Sequence, residues 1–170
     1  MNVHMQDLLS KEKSQTIAAA LDVAPLLKGR RDVAVEGPLD VRLTARGEGG
    51  LVLVEGELNA DLELNCSRCL TPLHRHLTVP FDEQFKPASS AESDEEEDDS
   101  VSVEGDRLDL QPYVEEAFLL ELPFAPLCSD ACKGLCPQCG NDLNANECGC
   151  SRERIDPRMA ALKDLFKEDK

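Results

Sequence analysis

The chain has 170 residues and a net charge of −16, because 34 acidic side chains outnumber 18 basic ones. A chain this acidic is a poor match for the phosphate backbone of a nucleic acid, which is held mainly by Lys and Arg, so any tight nucleic-acid contact would have to be local. The length suits one domain with at most a small appendage. With no Trp and one Tyr, its core must rest on Leu, Val and Ala.

The N-terminal segment gives a weak structural signal. Ser14 is a possible N-cap for a short helix over residues 15–21, which Pro25 would end. Residues 1–7 lack the basic start, apolar run and small-residue cleavage site of a secretory signal. No apolar run reaches the length of a membrane span. We therefore expect a cytoplasmic protein without a membrane partner, whose thiols are kept reduced.

A β region follows this segment. Apolar and polar residues alternate over residues 51–64, and a period of two indicates a strand with one buried face. Residues 41–46 alternate in the same way, and the glycine-rich stretch 47–50 predicts a turn that joins the two strands as a hairpin. The pattern continues in one or two further strands, at Leu73, Leu77, Val79, Phe81 and Phe85. Cys66 and Cys69 therefore lie at a turn between consecutive strands.

A strongly acidic stretch interrupts the pattern. Seven of the eight residues 92–99 are acidic, and their mutual repulsion predicts a disordered, solvated loop over residues 88–100. The functional alternative is a nucleic-acid mimic that attracts a basic partner.

Two helices are predicted beyond this loop. Asp109 is a suitable N-cap and Pro112 suits the first turn of a helix with an apolar stripe at Val114, Phe118, Leu119 and Leu122. Asp156 followed by Pro157 indicates the start of a second helix, with apolar side chains at Met159, Leu162, Leu165 and Phe166. The first stripe indicates core packing, whereas the second could pack on the domain or await a partner.

All eight cysteines occur in clusters. Cys66 and Cys69 form one pair, and the other six lie between Cys128 and Cys150 with the spacing Cys-x3-Cys-x3-Cys-x2-Cys-x8-Cys-x-Cys. Zinc takes four thiolates in a tetrahedron, and such short spacings let two ligands hold one ion from a tight turn. Disulfides belong to secreted chains, and an iron–sulfur cluster is a further alternative. The expected compartment and the spacing favour two structural zinc sites.

Proximity in the sequence predicts which cysteines share an ion, because a local site needs the least loop-closure entropy. The local site consists of Cys136, Cys139, Cys148 and Cys150. The remaining cysteines form the second site, which would join the sheet to the segment after the helix: Cys66, Cys69, Cys128 and Cys132. His74 and His76 are alternative ligands, but exposed positions on a strand suit them better.

The sequence offers no catalytic centre. A catalytic zinc keeps an open position for water, whereas a site of four cysteines is closed. The chain has no His-Glu-x-x-His, no Gly-x-Ser-x-Gly and no phosphate-binding glycine loop. We therefore expect a protein that is not an enzyme and has no small-molecule substrate. A zinc-dependent hydrolase or nuclease, and a zinc-stabilised adaptor in transcription, are the alternatives.

Several runs around the cysteines are specific. They are Cys66-Ser67-Arg68-Cys69-Leu70, residues 116–126, Cys132-Lys133-Gly134-Leu135-Cys136-Pro137-Gln138-Cys139-Gly140 and Cys148-Gly149-Cys150. Through these runs the chain resembles, over about residues 20–150, the YceD family of bacterial and plastid proteins described as large ribosomal RNA subunit accumulation proteins. The resemblance implies a factor in large-subunit biogenesis that supports accumulation or processing of 23S rRNA.

Two kinds of partner fit such a factor. A local basic patch would bind rRNA or a precursor particle, and the candidates for it are Arg30, Arg31, Arg42, Arg46, Arg68, Arg75 and His76. Scattered surface charges are the alternative interpretation of these residues. The acidic body would instead suit a basic ribosomal protein of the large subunit.

Together these elements predict an α+β fold. We expect a mainly antiparallel β-sheet, as a partly closed barrel or a sandwich, with one packed helix and a C-terminal zinc-binding segment. A β-rich core over residues 1–127 would contain the acidic loop 88–100. A cysteine-rich zinc-binding segment over 128–150 and a helix or tail over 151–170 would follow.

Overall fold

The structure is a computed structural model that describes residues 1–11, 13–88 and 100–150. Its strands are β1 (Asn2–His4), β2 (Ser14–Leu21), β3 (Val33–Val35), β4 (Leu39–Glu48), β5 (Leu51–Asn65), β6 (Pro72–Pro87), β7 (Val101–Val103) and β8 (Arg107–Asp109). Its helices are α1 (Met5–Lys11) and α2 (Gln111–Leu120), and a 3-10 turn spans Ala24–Leu27. The predicted acidic run 92–99 and the predicted helix or tail 151–170 lie outside the described residues.

Most strands belong to one sheet with the order β2-β4-β5-β6-β7, and β3 pairs with β5 beside this path. All of these pairings are antiparallel except that of β6 with β7. β1 and β8 form a separate antiparallel pair. The predicted mainly antiparallel β architecture is therefore confirmed. The described strands form no closed barrel, so the predicted partly closed barrel is not confirmed.

Strands β4, β5 and β6 form the long central part of the sheet. Glu48 pairs with Leu51 across the turn of the predicted hairpin, and Asn65 pairs with Pro72 across the turn that carries Cys66 and Cys69. The predicted β4–β5 hairpin is thus confirmed. The downstream apolar positions lie in the single strand β6 rather than in two strands.

The core follows the predicted alternation. In β5 the even-numbered apolar side chains from Val52 to Leu64 are buried, and they pack with the buried side chains of β4, β6 and α2. Burial of each Val or Leu side chain among them contributes roughly 1.5–3 kcal/mol, which offsets the conformational entropy of ordering the strands. Gly56 interrupts the apolar series because a β-carbon there would collide with the backbone of Arg42 in the neighbouring strand.

The helix predicted over residues 15–21 is wrong, because this segment forms β2. Ser14 pairs with Arg46 and Leu21 pairs with Leu39, so β2 lies along β4 over its whole length. From Ile17 onward, half-buried and exposed side chains alternate with a period of two. Pairing with β4 overrides the helix propensity of the alanine run.

Helix α2 confirms the other helix predicted within the described residues. Pro112 lies in its first turn, and Val114 and Phe118 are fully buried. The N-cap residue is Leu110 rather than Asp109, although the Asp109 carboxylate accepts a hydrogen bond of 3.1 Å from the Gln111 N–H. The predicted cap is therefore one residue early, and its side chain still satisfies a free backbone N–H of the helix.

The chain divides into two compact units. The first unit holds Met1–Asn65 and Pro72–Pro126, which include the sheet, both helices and the apolar core. The second unit holds Cys66–Thr71 and, among the described residues, 127–150. The turn between β5 and β6 therefore groups with the cysteine-rich segment, and all eight cysteines belong to one unit.

Candidate metal centres

The first cysteine group brings together residues that are far apart in the sequence. Its four sulfur atoms lie within 4.8 Å of one another, and they belong to Cys66, Cys69, Cys128 and Cys132. The Cys66 and Cys132 sulfurs are 3.8 Å apart, and those of Cys69 and Cys128 are 3.6 Å apart. With Zn–S bonds of about 2.3 Å, a tetrahedral zinc places its sulfurs about 3.8 Å from one another. The donor set therefore fits a zinc ion in both distance and chemistry.

The turn Cys66–Thr71, called the first cysteine turn, is held by two backbone hydrogen bonds. The Leu70 N–H donates to the Cys66 carbonyl at 2.9 Å, and the Cys66 N–H donates to the Thr71 carbonyl at 2.9 Å. Leu70 has a φ of 62°, the only positive φ of a non-glycine residue among the described residues. This left-handed residue turns the chain sharply enough to aim both sulfurs at one point.

Polar groups around the first cysteine group support its sulfurs. The Cys128 N–H donates to the Cys66 sulfur at 3.4 Å, and the Asn144 amide donates to the Cys132 sulfur at 3.5 Å. The Thr71 hydroxyl oxygen lies 3.2 Å from the Cys69 sulfur. Such donors favour the thiolate form that a metal requires and fix the direction of each sulfur. Neither Thr71 nor Asn144 is predicted from the sequence, because Thr and Asn are also common turn residues without a metal.

The second cysteine group is local in the sequence. Its four sulfur atoms also lie within 4.8 Å of one another, and they belong to Cys136, Cys139, Cys148 and Cys150. Its turn, residues 136–141, is called the second cysteine turn. There the Gly140 N–H donates to the Cys136 carbonyl at 2.8 Å, and the Cys136 N–H donates to the Asn141 carbonyl at 2.8 Å. These bonds repeat those of the first cysteine turn, and Gly140 has a φ of 74°.

A hydrogen-bonded loop carries the chain from Cys139 to Cys148. The Leu143 N–H donates to the Gly134 carbonyl at 2.9 Å, and the Leu143 side chain is buried. The Asn141 amide donates to the Asn146 carbonyl at 2.9 Å, which closes the loop on itself. The polar residues between the two cysteine pairs therefore build a defined connection.

Within each group the thiols differ in their tendency to ionise. Burial opposes ionisation of Cys66, but backbone N–H groups of Cys69 and Arg68 lower its pKa to about 6. Backbone N–H groups of Cys139 and Gln138 likewise lower the pKa of Cys136 to about 6.

The thiols of Cys128 and Cys150 show the opposite shift. Hydrogen bonding to the Cys132 thiol raises the pKa of Cys128 to about 12, and hydrogen bonding to Cys139 raises that of Cys150 to about 12. The first cysteine of each turn is therefore prepared as a thiolate, whereas full ionisation of four adjacent thiols needs a bound cation.

The structure groups the cysteines as proximity in the sequence predicts, and it leaves the histidines out of both groups. His74 lies 2.9 Å from a Glu36 carboxylate oxygen, and His76 lies 2.7 Å from one of Asp61. Both histidines are exposed residues of β6. The interpretation of His74 and His76 as strand residues therefore fits their positions.

The predicted basic contact residues are mostly engaged with neighbouring groups. Arg30 pairs with Asp32 at 2.5 Å, Arg42 with Asp40 at 2.9 Å, and Arg46 with Glu55 at 2.8 Å. In the second unit the Arg68 guanidinium donates to the Cys132 carbonyl at 2.8 Å, beside the first cysteine group.

Two of the predicted basic residues differ from the others. Neither Arg31 nor Arg75 forms an ion pair with another described residue, and both side chains are exposed. A role in RNA contact stays a prediction for all of these residues, His76 included. Separately, none of the helices in the described part of the chain is long and apolar enough to cross a membrane.

Comparison with known proteins places these sites in a family. A family model described as large ribosomal RNA subunit accumulation protein YceD matches residues 54–166, a stretch that includes every cysteine. The chain belongs to the YceD family. The predicted resemblance is thus confirmed, and the two cysteine groups are features of this YceD-family chain.

Individual relatives extend the comparison. An uncharacterized protein of Mycobacterium tuberculosis is 41% identical over 129 residues, which are 75% of this chain and 61% of that protein. The uncharacterized protein YlbN of Bacillus subtilis is 30% identical over 168 residues, which are 98% of this chain and 94% of that protein. The chloroplastic large ribosomal RNA subunit accumulation protein YCED homolog 1 of Arabidopsis thaliana is 35% identical over 58 residues, 34% of this chain and 18% of that protein.

The match to the mycobacterial relatives spans only about 61% of their length. No solved structure matches the chain significantly.

Proposed function

We propose that this YceD-family protein is a non-enzymatic factor in biogenesis of the large ribosomal subunit. Its role would be to support the accumulation or processing of 23S rRNA in the cytoplasm. The observation that carries the proposal is the family match over residues 54–166, since the family is described by accumulation of large-subunit ribosomal RNA. The names of the chloroplast relatives describe the same role for those proteins.

In this proposal both cysteine groups hold zinc, and both zinc ions are structural. When bound, each ion supplies a tetrahedral centre that neutralises its thiolates and fixes the segments that carry them. A zinc ion held by four sulfurs would have no open position for a substrate or a catalytic water. The absence of an enzymatic role is part of the proposal.

The ion pairs of the arginines favour a protein partner over direct capture of RNA. A phosphate would have to compete with Asp32, Asp40 or Glu55 for the guanidinium beside it. Each exposed pair contributes only about 0–1 kcal/mol, but together they reduce the number of cations available to a phosphate backbone. A basic protein of the large subunit or of its precursor particle would bind the carboxylates of the acidic surface directly and would not need to displace them from the arginines.

Depletion of the protein tests the proposed role. The ratio of large-subunit to small-subunit rRNA should fall on depletion and return when the wild-type gene is supplied. An unchanged ratio in depleted cells would contradict the proposal. Crosslinking in the cells rescued with the wild-type gene would identify whether the bound molecule is 23S rRNA, a precursor particle or a ribosomal protein.

X-ray absorption at the zinc edge tests the structural role of the ions. We expect four sulfur neighbours at about 2.3 Å for every zinc in the purified protein. A nitrogen or oxygen neighbour would contradict two closed four-cysteine sites and would favour a hydrolase or nuclease instead.

A further inference from the structure

An open groove in the first unit is lined by both apolar and acidic residues. Its cavity measures about 410 Å³ and lies between α2, β6 and the start of β7. Val101, Ala117 and Leu120 are among its apolar lining residues. Leu120 is 77% exposed, so this side chain is available to a partner.

Three carboxylates line the same groove. They belong to Glu83 of β6 and to Glu116 and Glu121 on and next to α2. None of the three forms an ion pair with another residue of the described part of the chain. Burial raises the pKa of Glu83, and the charges of Glu116 and Asp82 raise it further. The groove therefore concentrates negative charge from three carboxylates that form no ion pair within the described residues.

The end of α2 and the residues after it carry further exposed apolar side chains. Leu119 is 41% exposed, and Phe124, four residues after Leu120 along the chain, is 97% exposed. Together with Leu70 of the second unit, Leu119, Leu120 and Phe124 account for all large exposed apolar side chains among the described residues. Three of these four side chains therefore belong to α2 and the four residues after it, and exposed apolar side chains are common at interaction surfaces.

We propose that this acidic groove binds a basic segment of a partner protein. An apolar side chain of the segment packs on Val101, Ala117 and Leu120, and flanking Lys or Arg side chains pair with the three glutamates. Charge complementarity selects this occupant, because RNA phosphates would be repelled by the same carboxylates. This inference rests on the proposed function, which makes the large subunit or its precursor the source of the partner. Within that function, the groove favours a basic protein rather than rRNA as the molecule bound directly.

A peptide titration tests the groove with a defined probe. The probe is a fluorescein-labelled peptide in which leucines alternate with Lys–Arg pairs, and the comparison peptide has serine in place of leucine. We expect the leucine peptide to bind more tightly in fluorescence anisotropy and to weaken as salt is raised. Equal affinities of the two peptides would overturn the proposal, since charge alone would then explain the binding.

Two matched variants separate the groove from the general acidity of the chain. Glu83→Gln, Glu116→Gln and Glu121→Gln together remove three charges from the groove. Glu95→Gln, Glu96→Gln and Glu97→Gln remove three charges from the acidic run. An exposed pair contributes at most about fivefold in affinity, so we expect the groove variant to lose about tenfold, and at most about a hundredfold, and the control to lose less than about threefold. Equal losses would overturn the proposal.

Leu120→Ser tests the apolar contact without a change of charge. Because Leu120 is largely exposed, the fold should be unaffected, and circular dichroism can verify this. We expect the variant to bind the leucine and serine peptides with similar affinity. A preserved preference for the leucine peptide would place the apolar contact elsewhere and overturn the proposal.

Rescue of depleted cells distinguishes this inference from the proposed function. We expect the groove variant with three glutamines to restore the rRNA ratio less well than the variant of the acidic run. Full rescue by the groove variant would overturn the inference and leave the proposed function standing. An unchanged rRNA ratio on depletion would overturn the proposed function. The peptide titration would still show whether the groove binds a basic segment.

Discussion

The two cysteine turns share one backbone design but differ in the residue at its left-handed position. In each turn, the N–H of that residue donates to the carbonyl of the first cysteine, at 2.9 Å for Leu70 and 2.8 Å for Gly140. A left-handed conformation costs a residue with a β-carbon roughly 1–2 kcal/mol, and glycine escapes this cost. The first cysteine turn therefore carries strain that the second avoids. The hydrogen bonds and the sulfur geometry therefore define the turn, and glycine at the left-handed position is dispensable.

The two groups differ also in burial and in the length of chain that they close. In the first group three of the four cysteines are buried, but in the second only Cys136 is. Cys69 and Cys128 are 59 residues apart, whereas Cys139 and Cys148 are only nine apart. The entropy of closing the longer loop is larger by roughly 1.5–2 kcal/mol. An ion in the first group therefore constrains the unfolded chain more than an ion in the second.

Loss of one cysteine from each group should reveal this difference most strongly. We expect Cys69→Ser and Cys139→Ser each to lose one zinc, measured by elemental analysis of the purified protein. Cys69→Ser should lower the free energy of unfolding by several kcal/mol, and by roughly 1.5–2 kcal/mol more than Cys139→Ser, because its ion closes the longer loop. Denaturant titration provides the measurement. A larger effect of Cys139→Ser would reverse the ranking of the two groups.

Strand β5 and the cysteine groups can be predicted from the sequence, whereas β2 and the first cysteine turn need the structure. The alternation over residues 51–64 predicts β5 because a period of two indicates a strand. Local closure predicts the second cysteine group, and the remaining four cysteines then form the first. The alanine run before Leu21 has helix propensity, so the pairing of β2 with β4 is decided by tertiary contacts. The left-handed conformation of Leu70 could not be predicted either, since leucine disfavours that conformation.

Two features could not be predicted from the sequence for the same reason. They are the hydrogen bond from the Asn144 amide to Cys132 and the acidic groove. Both join residues that no local pattern connects, such as Glu83 of β6 and Glu116 of α2. Paired arginines illustrate the same limit, because the sequence shows a cation such as Arg46 but not the carboxylate beside it. Periodicity and spacing report local geometry, whereas contacts between distant segments depend on the fold.

A pH titration of the metal-free protein tests whether both turns prepare a thiolate. Cys66 and Cys136 each have a pKa lowered from 9.0 to about 6. Because the folded value is the lower one, their contribution to stability is complete above about pH 9 and is lost as the pH falls through about 6. The thiolate absorbance near 240 nm should show two groups that titrate near pH 6. Cys66→Ser and Cys136→Ser should each remove one, and a single such group in the wild-type protein would show that the turns differ in electrostatics.

Exchange of the left-handed residues should have the smallest effect. Gly140→Leu places a β-carbon at a φ of 74°, so it should destabilise the second cysteine turn by about 1–2 kcal/mol and accelerate zinc loss to a chelator. Leu70→Gly removes the strain of the first turn but adds flexibility to the unfolded chain, worth about 0.4–1 kcal/mol in the opposite direction. We therefore expect a change of stability within about 1 kcal/mol for Leu70→Gly. Chelator kinetics and denaturant titration of both variants measure the difference, with Leu70→Ala as the control that keeps a β-carbon and removes the exposed apolar side chain. If Leu70→Ala destabilises the protein as much as Gly140→Leu does, the exposed leucine side chain itself holds the first turn, and strain is not what distinguishes the two turns.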